Sequence, residues 1–388
     1  MSATISAPSF FARRYTLIAL VVFAAVTPMV LLVAPAIAGQ LAVQLKLNPA
    51  QIGTYFFVEL GAFSFATIPS YLWIGRVDAR YVAFVALSIF CAGNLISALW
   101  MPRLTILLLL RTISALGGGT LMVLSMTSAA SNANRDRVYG FWVVGQLVVG
   151  AVGLVVLPHM FAVAGLRAFY LLLAIFGLLA MPLCRAFDPA TGTREKSGAD
   201  SAMPTGRNRV LTSLIVVIGV LGFYIAIGGV WTFAGKAATH AGIGITASST
   251  ILAVATVFGI VGALVAAVVG GNVSRPAMLV LGYLLLLVPM AWLATMPGSI
   301  GYSISLFSFK FAWTFVLPFI LATVAARDQS GKLVASLTLI IGVGLSVGPL
   351  IAGHMLQGGM SLSSVFAAGF AATLVSALLV LRAEAMRS

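Results

Sequence analysis

Charge is what this sequence has least of. Only 8% of its 388 residues are Asp, Glu, Lys or Arg, against 61% hydrophobic residues. No water-soluble domain hides that much apolar surface behind so little polar material, so the solvent is lipid. Two cysteines, Cys91 and Cys184, lie in apolar stretches without metal-ligand spacing around them and read as core thiols. The three histidines, His159, His240 and His354, fall near the ends of different apolar runs with no acid or cysteine beside them, the pattern of scattered interfacial side chains and not of a metal site. There is no hydrolytic triad, no paired carboxylate and no phosphate-binding glycine loop, so neither enzymatic chemistry nor a bound cofactor is expected. The net charge of +14 would suggest nucleic acid in a soluble protein. Here the basic residues are spread over the loops between apolar runs, with no single patch to meet a phosphate backbone.

A membrane span needs about 20 apolar residues. Apolar runs between breakers predict twelve, near 15–38, 51–74, 80–100, 104–128, 138–160, 165–185, 210–234, 246–269, 277–296, 300–323, 334–356 and 361–382. Arg13 and Arg14 precede a run ending in Ala34-Pro35-Ala36-Ile37-Ala38, which has the outline of a signal-peptidase site. From Tyr15 to Ala38 the run reaches full span length, well beyond the roughly 7 to 15 residues of a signal h-region, and is expected to stay in place as span 1. The one long polar stretch, 186–209, divides the chain into an N-terminal bundle at 1–185, a linker, and a C-terminal bundle at 210–388.

Alternate loops differ sharply in basic residues. Sixteen fall on the side of the termini: Arg13, Arg14, Arg76, Arg80, Arg135, Arg137, Arg185, Arg194, Lys196, Arg207, Arg209, Arg275, Arg327, Lys332, Arg382 and Arg387. The other side holds four, Lys46, Arg103, Arg167 and Lys236. The positive-inside rule then places both termini and the linker in the cytoplasm of a bacterium, with the chain in the inner membrane. An offset of 195 residues superposes Gly75 on Gly270, Arg80 on Arg275, Arg137 on Lys332 and Gly153 on Gly348, a weak internal repeat of the parallel kind.

Six spans, a linker, six spans and a parallel repeat resemble the major facilitator superfamily. In span 4, Arg111-Thr-Ile-Ser-Ala-Leu-Gly117-Gly118-Gly119 is similar to the family's arginine followed by alternating glycines, with Ala115 in place of one of them. Gly165-Leu-Arg167-Ala-Phe169 entering span 6 also resembles a family pattern. Gly75-Arg-Val-Asp78-Ala-Arg80 after span 2 keeps an acid and basic residues but lacks the family's Asp-Arg pair and following glycine. Span 5 carries Gly145, Gly150 and Gly153 without the Gly-Pro pair of many antiporters of the family, so export by antiport is not indicated. The resemblance implies an all-α membrane protein of two six-helix bundles. It implies spans 1, 4, 7 and 10 around a central cavity, and secondary transport by alternating access.

Only Glu59, Arg111 and Lys310 lie well inside spans, at similar depths of roughly 12, 12 and 15 Å from the ends opposite the termini. Each costs about 2.5 to 3.5 kcal/mol at a helix centre and should face a partner or water. Glu59 is the one intramembrane carboxylate, and two readings stand open for it: proton carrier, or counter-ion of Arg111. Lys310, in Phe309-Lys310-Phe311-Ala-Trp313, has no acid left to pair with and invites an anionic ligand, with Arg111 as a second contact; a neutral or carbonyl-bonded lysine is the alternative. Tyr224 and the pair Gly228-Gly229 put an aromatic surface and a flexible point on span 7, while Trp231 reads as an interfacial anchor. Gln146 and Asn94 are neutral polar groups suited to interhelical hydrogen bonds, and Gln146 is also a candidate ligand contact. The expected function is transport of a small solute, leaning to an organic anion, coupled to protons, by a monomer. A drug or metabolite exporter of the same fold is the alternative. A receptor would be expected to add an output domain, for which 388 residues leave no room, and a channel would need a polar lining that is missing. One consequence is direct: a cysteine placed at Ser197 in the linker is expected to react with an impermeant maleimide only after the inner face is exposed, and labelling in intact cells would reverse the orientation.

Overall fold

A computed structural model describes residues 10–100, 103–130, 135–189, 191, 207–270, 273–326 and 332–386. These residues form helices joined by short turns, with no strand among them. Span 1 is built from three segments, α1 (Phe10–Val26), α2 (Met29–Leu32) and α3 (Ala34–Gln44), and span 2 from α4 (Pro49–Phe65) and α5 (Thr67–Trp73). Single helices make the rest: α6 (Ala79–Leu99), α7 (Leu104–Ala130), α8 (Arg135–Ala164), α9 (Leu166–Ala180) with a 3₁₀ turn at Met181–Ala186, α10 (Arg207–His240), α11 (Ile245–Val269), α12 (Arg275–Ala294), α13 (Ser299–Ala325), α14 (Lys332–Gln357) and α15 (Leu362–Ala385). Among the described residues, eleven spans are long and apolar enough to cross a membrane, with α1 contributing a shorter apolar helix over Tyr15–Val26. Most of the expected linker, residues 190 and 192–206, lies outside the described residues.

Prolines account for the interruptions. A proline has no amide to give and its ring crowds the carbonyl four residues back. Pro69 stands four residues after Phe65, where α4 ends, and Pro28 and Pro35 bracket the short α2. Turns are specified as locally. Asn48 accepts from the Gln51 amide at 2.9 Å while the Gln51 side chain accepts from the Asn48 amide at 3.0 Å, a reciprocal cap that starts α4 with Pro49 in its first turn. Gly165 adopts φ 60° between α8 and α9, a conformation that any Cβ would strain, and the Gln44 side chain accepts from the following Leu166 amide at 2.8 Å.

The weak repeat in the sequence becomes a repeat of helix pairing. In the first half α1 packs on α8, α6 on both α7 and α9, and α4 on α7. In the second half the equivalents recur: α10 on α14, α12 on both α13 and α15, and α11 on α13. Between halves, α4 lies along α14, α8 along α11, and α3 against α10. These contacts fall on particular segments. Span 2 meets α14 through α4 rather than α5, and span 1 meets α10 through α3 rather than α1, so spans 1, 2, 7 and 11 hold the halves together mainly on the side away from the termini, while Thr338 of α14 approaches Met126 of α7 at 3.9 Å toward the other side.

Glycine permits those approaches. A Cβ on Gly53 or Gly353 would run into the backbone of the facing helix, at Pro349 and Pro49 respectively. Gly228 and Gly229, which the sequence presents as a flexible point, are held where α10 crosses α14, against Leu345 and Gly348. Gly117 lies against the Ala86 carbonyl and Gly119 against the Phe63 carbonyl, so the glycines of span 4 serve close packing on spans 3 and 2. Gly39 on α3 has nothing within 4 Å of where a Cβ would stand. Gly119→Ala is therefore expected to cost about 1–3 kcal/mol through backbone displacement. Gly39→Ala should be neutral or stabilising by up to about 1 kcal/mol. Apparent melting temperatures of the two variants in detergent check both, and equal melting would refute the packing role of Gly119.

Candidate functional site

Spans 2, 3, 4 and 6 build a polar cluster inside the first half. Arg111 on α7 is completely buried, and every nitrogen of its guanidinium is engaged. Nε and Nη2 donate to the two carboxylate oxygens of Glu59 on α4, both at 2.8 Å, and Nη1 donates to Asn94 Oδ1 on α6, also at 2.8 Å. Asn94 in turn donates to Ser114 Oγ and the Phe90 carbonyl, each at 2.8 Å. The guanidinium lies 4.8 Å from the centre of the Tyr170 ring, whose hydroxyl is 3.0 Å from that of Tyr55. The fork geometry uses both carboxylate oxygens at once, which a lysine at position 111 could not do. The counter-ion arrangement of Glu59 is thus the one present in this conformation.

Lys310 on α13 is surrounded differently. It is 4% exposed, and its Nζ lies 4.0 Å from the ring centre of Trp231 on α10 and 4.0 Å from that of Trp313, one turn along its own helix. The two indoles stand edge to face with centres 6.4 Å apart. For the protonated form, cation–π contacts of about 0.5–2 kcal/mol each are of the size of the roughly 2.5–3.5 kcal/mol cost of placing a lysine there, enough to hold an ammonium in the membrane. They do so without cancelling its charge, because a ring face carries a quadrupole and no counter-charge. Among the described residues, the two ion pairs are Arg111–Glu59 and Arg275–Glu384, the latter at 3.6 Å between α12 and α15.

The remaining sequence-derived candidates occupy separate places. Tyr224 is buried on α10, edge-on to Phe223 with ring centres 5.2 Å apart and with Gly344 of α14 against its Cβ. Gln146 on α8 donates from Nε2 to the Ala24 carbonyl at 3.0 Å. That carbonyl is the one Pro28 leaves without an amide four residues on, so Gln146 completes the backbone of span 1. Trp231 departs from the interfacial role its position suggested. The helix runs nine residues beyond it to His240, which sets it about 13 Å inside the end, and it is 1% exposed. Its Nε1 donates to the Leu31 carbonyl at 3.2 Å, across to the other half of the protein. Leu31 is four residues before Pro35, so this carbonyl too has lost its amide partner to a proline.

Composition and spacing singled out Glu59, Arg111 and Lys310 but missed Trp231 and Trp313 as the partners of Lys310, and Tyr170 and Tyr55 beside Arg111. The available signal was the unmatched cation itself, with aromatic residues on the same and adjoining spans to receive it. Removing Glu59 tests the buried cluster: Glu59→Ala strands a fully enclosed guanidinium and is expected to destabilise by about 3–5 kcal/mol. Glu59→Gln, which keeps an acceptor, should lose less. Apparent melting temperatures decide, and wild-type melting of Glu59→Ala would show that the pair does not support the fold.

Solved structures resemble the whole molecule. A bacterial homologue of the human lysosomal transporter Spinster, in its inward-facing and unoccupied conformation, matches with a TM-score of 0.69 at 15% identity, over 97% of this chain and 96% of that one. A point mutant of the nucleoside transporter NupG matches with a TM-score of 0.71 at 11% identity, over 97% of this chain and 100% of that one. At such identities the likeness is one of fold. No curated protein sequence matches the chain. The sequence profile described as Major Facilitator Superfamily matches residues 15–327, most of its length. With the paired halves, the helix contacts and this match together, the chain belongs to the major facilitator superfamily.

Proposed function

We propose that this protein is a secondary carrier of a small organic anion, working by alternating access as a monomer in a bacterial inner membrane, with both termini and the linker at 186–209 on the cytoplasmic side. The observation that carries the reading is Lys310, a mid-membrane cation held by two indole faces and opposed by no carboxylate among the described ion pairs. An anion completes that site electrostatically. A cationic drug would have to compete with Lys310 for the same ring faces and meet its charge, which favours the anion over the exporter of amphipathic cations.

Arg111 contributes indirectly in this proposal, since each of its guanidinium nitrogens is engaged within the first half. In this reading Tyr224 packs span 7 against span 11 and Gln146 supports span 1, neither as a ligand contact. Proton coupling falls to Glu59, the one carboxylate in the layer among the described residues. A proton on Glu59 displaces the guanidinium of Arg111, which ties protonation to the packing of spans 2 and 4, and span 2 is the helix that closes on span 11. The closed contacts on the side away from the termini support an inward-facing state, the conformation also given for the Spinster homologue.

Lys310→Met keeps length and apolar bulk while removing the charge. Screening the purified wild type by thermal shift against mono- and dicarboxylates, amines and amphipathic drugs identifies a ligand, and the folded Lys310→Met variant is expected to lose saturable binding of an anionic one. An unchanged dissociation constant would remove Lys310 from the site, and stabilisation by amines alone would favour the exporter.

A further inference from the structure

Trp231 is the side chain through which Lys310 touches the opposite half of the protein. One face of its indole holds the ammonium at 4.0 Å, while its N–H serves the Leu31 carbonyl at 3.2 Å. Leu31 belongs to α2, the four-residue piece of span 1 between two interruptions, and the next segment, α3, is the part of span 1 that packs on α10. A turn beyond Trp231, a Cβ on Gly235 would come within 3.2 Å of the Pro35 carbonyl, so the two halves are in close contact immediately beyond the indole.

The bond to Leu31 is more than one contact among many. Pro35 removes the amide that would otherwise have bonded this carbonyl, and hydrocarbon offers no substitute. Closure on this side therefore supplies the missing donor, and opening withdraws it unless water follows. Gln146 does the same for the Ala24 carbonyl released by Pro28, but from within the same half, where alternating access breaks nothing.

We propose that Trp231 is a positioning residue that makes closure on the side away from the termini depend on the occupancy of Lys310, its indole being fixed by the ammonium at one face and by the Leu31 carbonyl at its N–H. A ligand that draws the ammonium off the ring loosens the indole and weakens the bond across the halves, which favours opening by the differential affinity that any such coupling requires. The proposal rests on reading Lys310 as the anchor of the ligand. Its test needs no ligand, so the two can fail separately.

The test uses the full chain in intact cells, with Cys91 and Cys184 replaced by alanine and a single cysteine at Ala38, a buried position on α3 at 7% exposure. An impermeant maleimide is added from outside, and a cysteine at Val43, 67% exposed on the same helix, establishes that the reagent reaches that face. Trp231→Phe keeps a ring for Lys310 but lacks the N–H. It is expected to speed labelling at position 38 about five- to tenfold, the shift a single buried hydrogen bond gives. Lys310→Met should speed it comparably, and the double variant no more than either alone, because both act on one bond. Gln146→Leu, which strands a proline-released carbonyl without crossing between halves, should label at the wild-type rate. Trp231→Leu, which also lacks a donor, stands in if the phenylalanine variant does not accumulate. Wild-type labelling in the Trp231 variant overturns the proposal. So does faster labelling in Trp231→Phe with none in Lys310→Met, which would leave Trp231 a plain contact, or equal acceleration in Gln146→Leu, which would mean general loosening.

Discussion

Hydrocarbon gives a polar group nothing to bond with, and most of this structure follows from that constraint. A proline in a soluble helix can leave its orphan carbonyl to water; in a span, another part of the protein has to answer it. Span 1 contains two such carbonyls, at Ala24 and Leu31, and each is met by a side chain from a neighbouring helix. Charges obey the same rule at greater cost. Arg111 is met by a carboxylate, an amide oxygen and a ring face, Lys310 by two ring faces. The polar contacts that join one helix to another inside the membrane determine which helices must be neighbours.

The two halves share their helix pairing yet treat their central cations in opposite ways. At the 195-residue offset, Arg111 corresponds to Leu306, one helical turn before Lys310, so the cations of spans 4 and 10 occupy nearly equivalent places. The first is neutralised inside its own half by hydrogen bonds with fixed directions. The second is held by non-directional attraction to indoles, one of which is bonded to the other half. The first cation is fixed by bonds of set direction, whereas the second is opposed by no carboxylate among the described ion pairs.

Much of this was legible beforehand. Span positions, the repeat and the three intramembrane charges follow from length, hydropathy and residue type, because lipid punishes every exception to them. The pairing of Glu59 with Arg111 was open in the sequence as one of two readings, since opposite charges at equal depth in one bundle can meet. The partners of Lys310 were not legible. Trp231 is 79 positions away on another helix, and a ring face carries no formal charge to betray it. Its span also ends later than hydropathy suggested, at His240 and not near 234, which turned an apparent interfacial anchor into a buried contact. Gln146 shows the limit most clearly: Pro28 announces that a carbonyl needs a donor, but only the fold says which side chain arrives.

The segmented form of span 1 carries a mechanical consequence. Its beginning is tied into the first half, with the Tyr15 hydroxyl donating to the Pro182 carbonyl at 2.6 Å and Thr16 donating to the Ala186 carbonyl at 3.2 Å. Its last segment, α3, lies against α10 of the second half. A continuous helix joined at both ends would transmit any movement of one half to the other along its length. A rod with joints at Pro28 and Val33 bends instead, so α3 can change its angle to α10 while α1 keeps its place and the Gln44–Leu166 bond keeps the end of α3 in the first half. Separation on this side then asks only the last segment of span 1 to turn, and it need not be matched, residue for residue, by approach on the other.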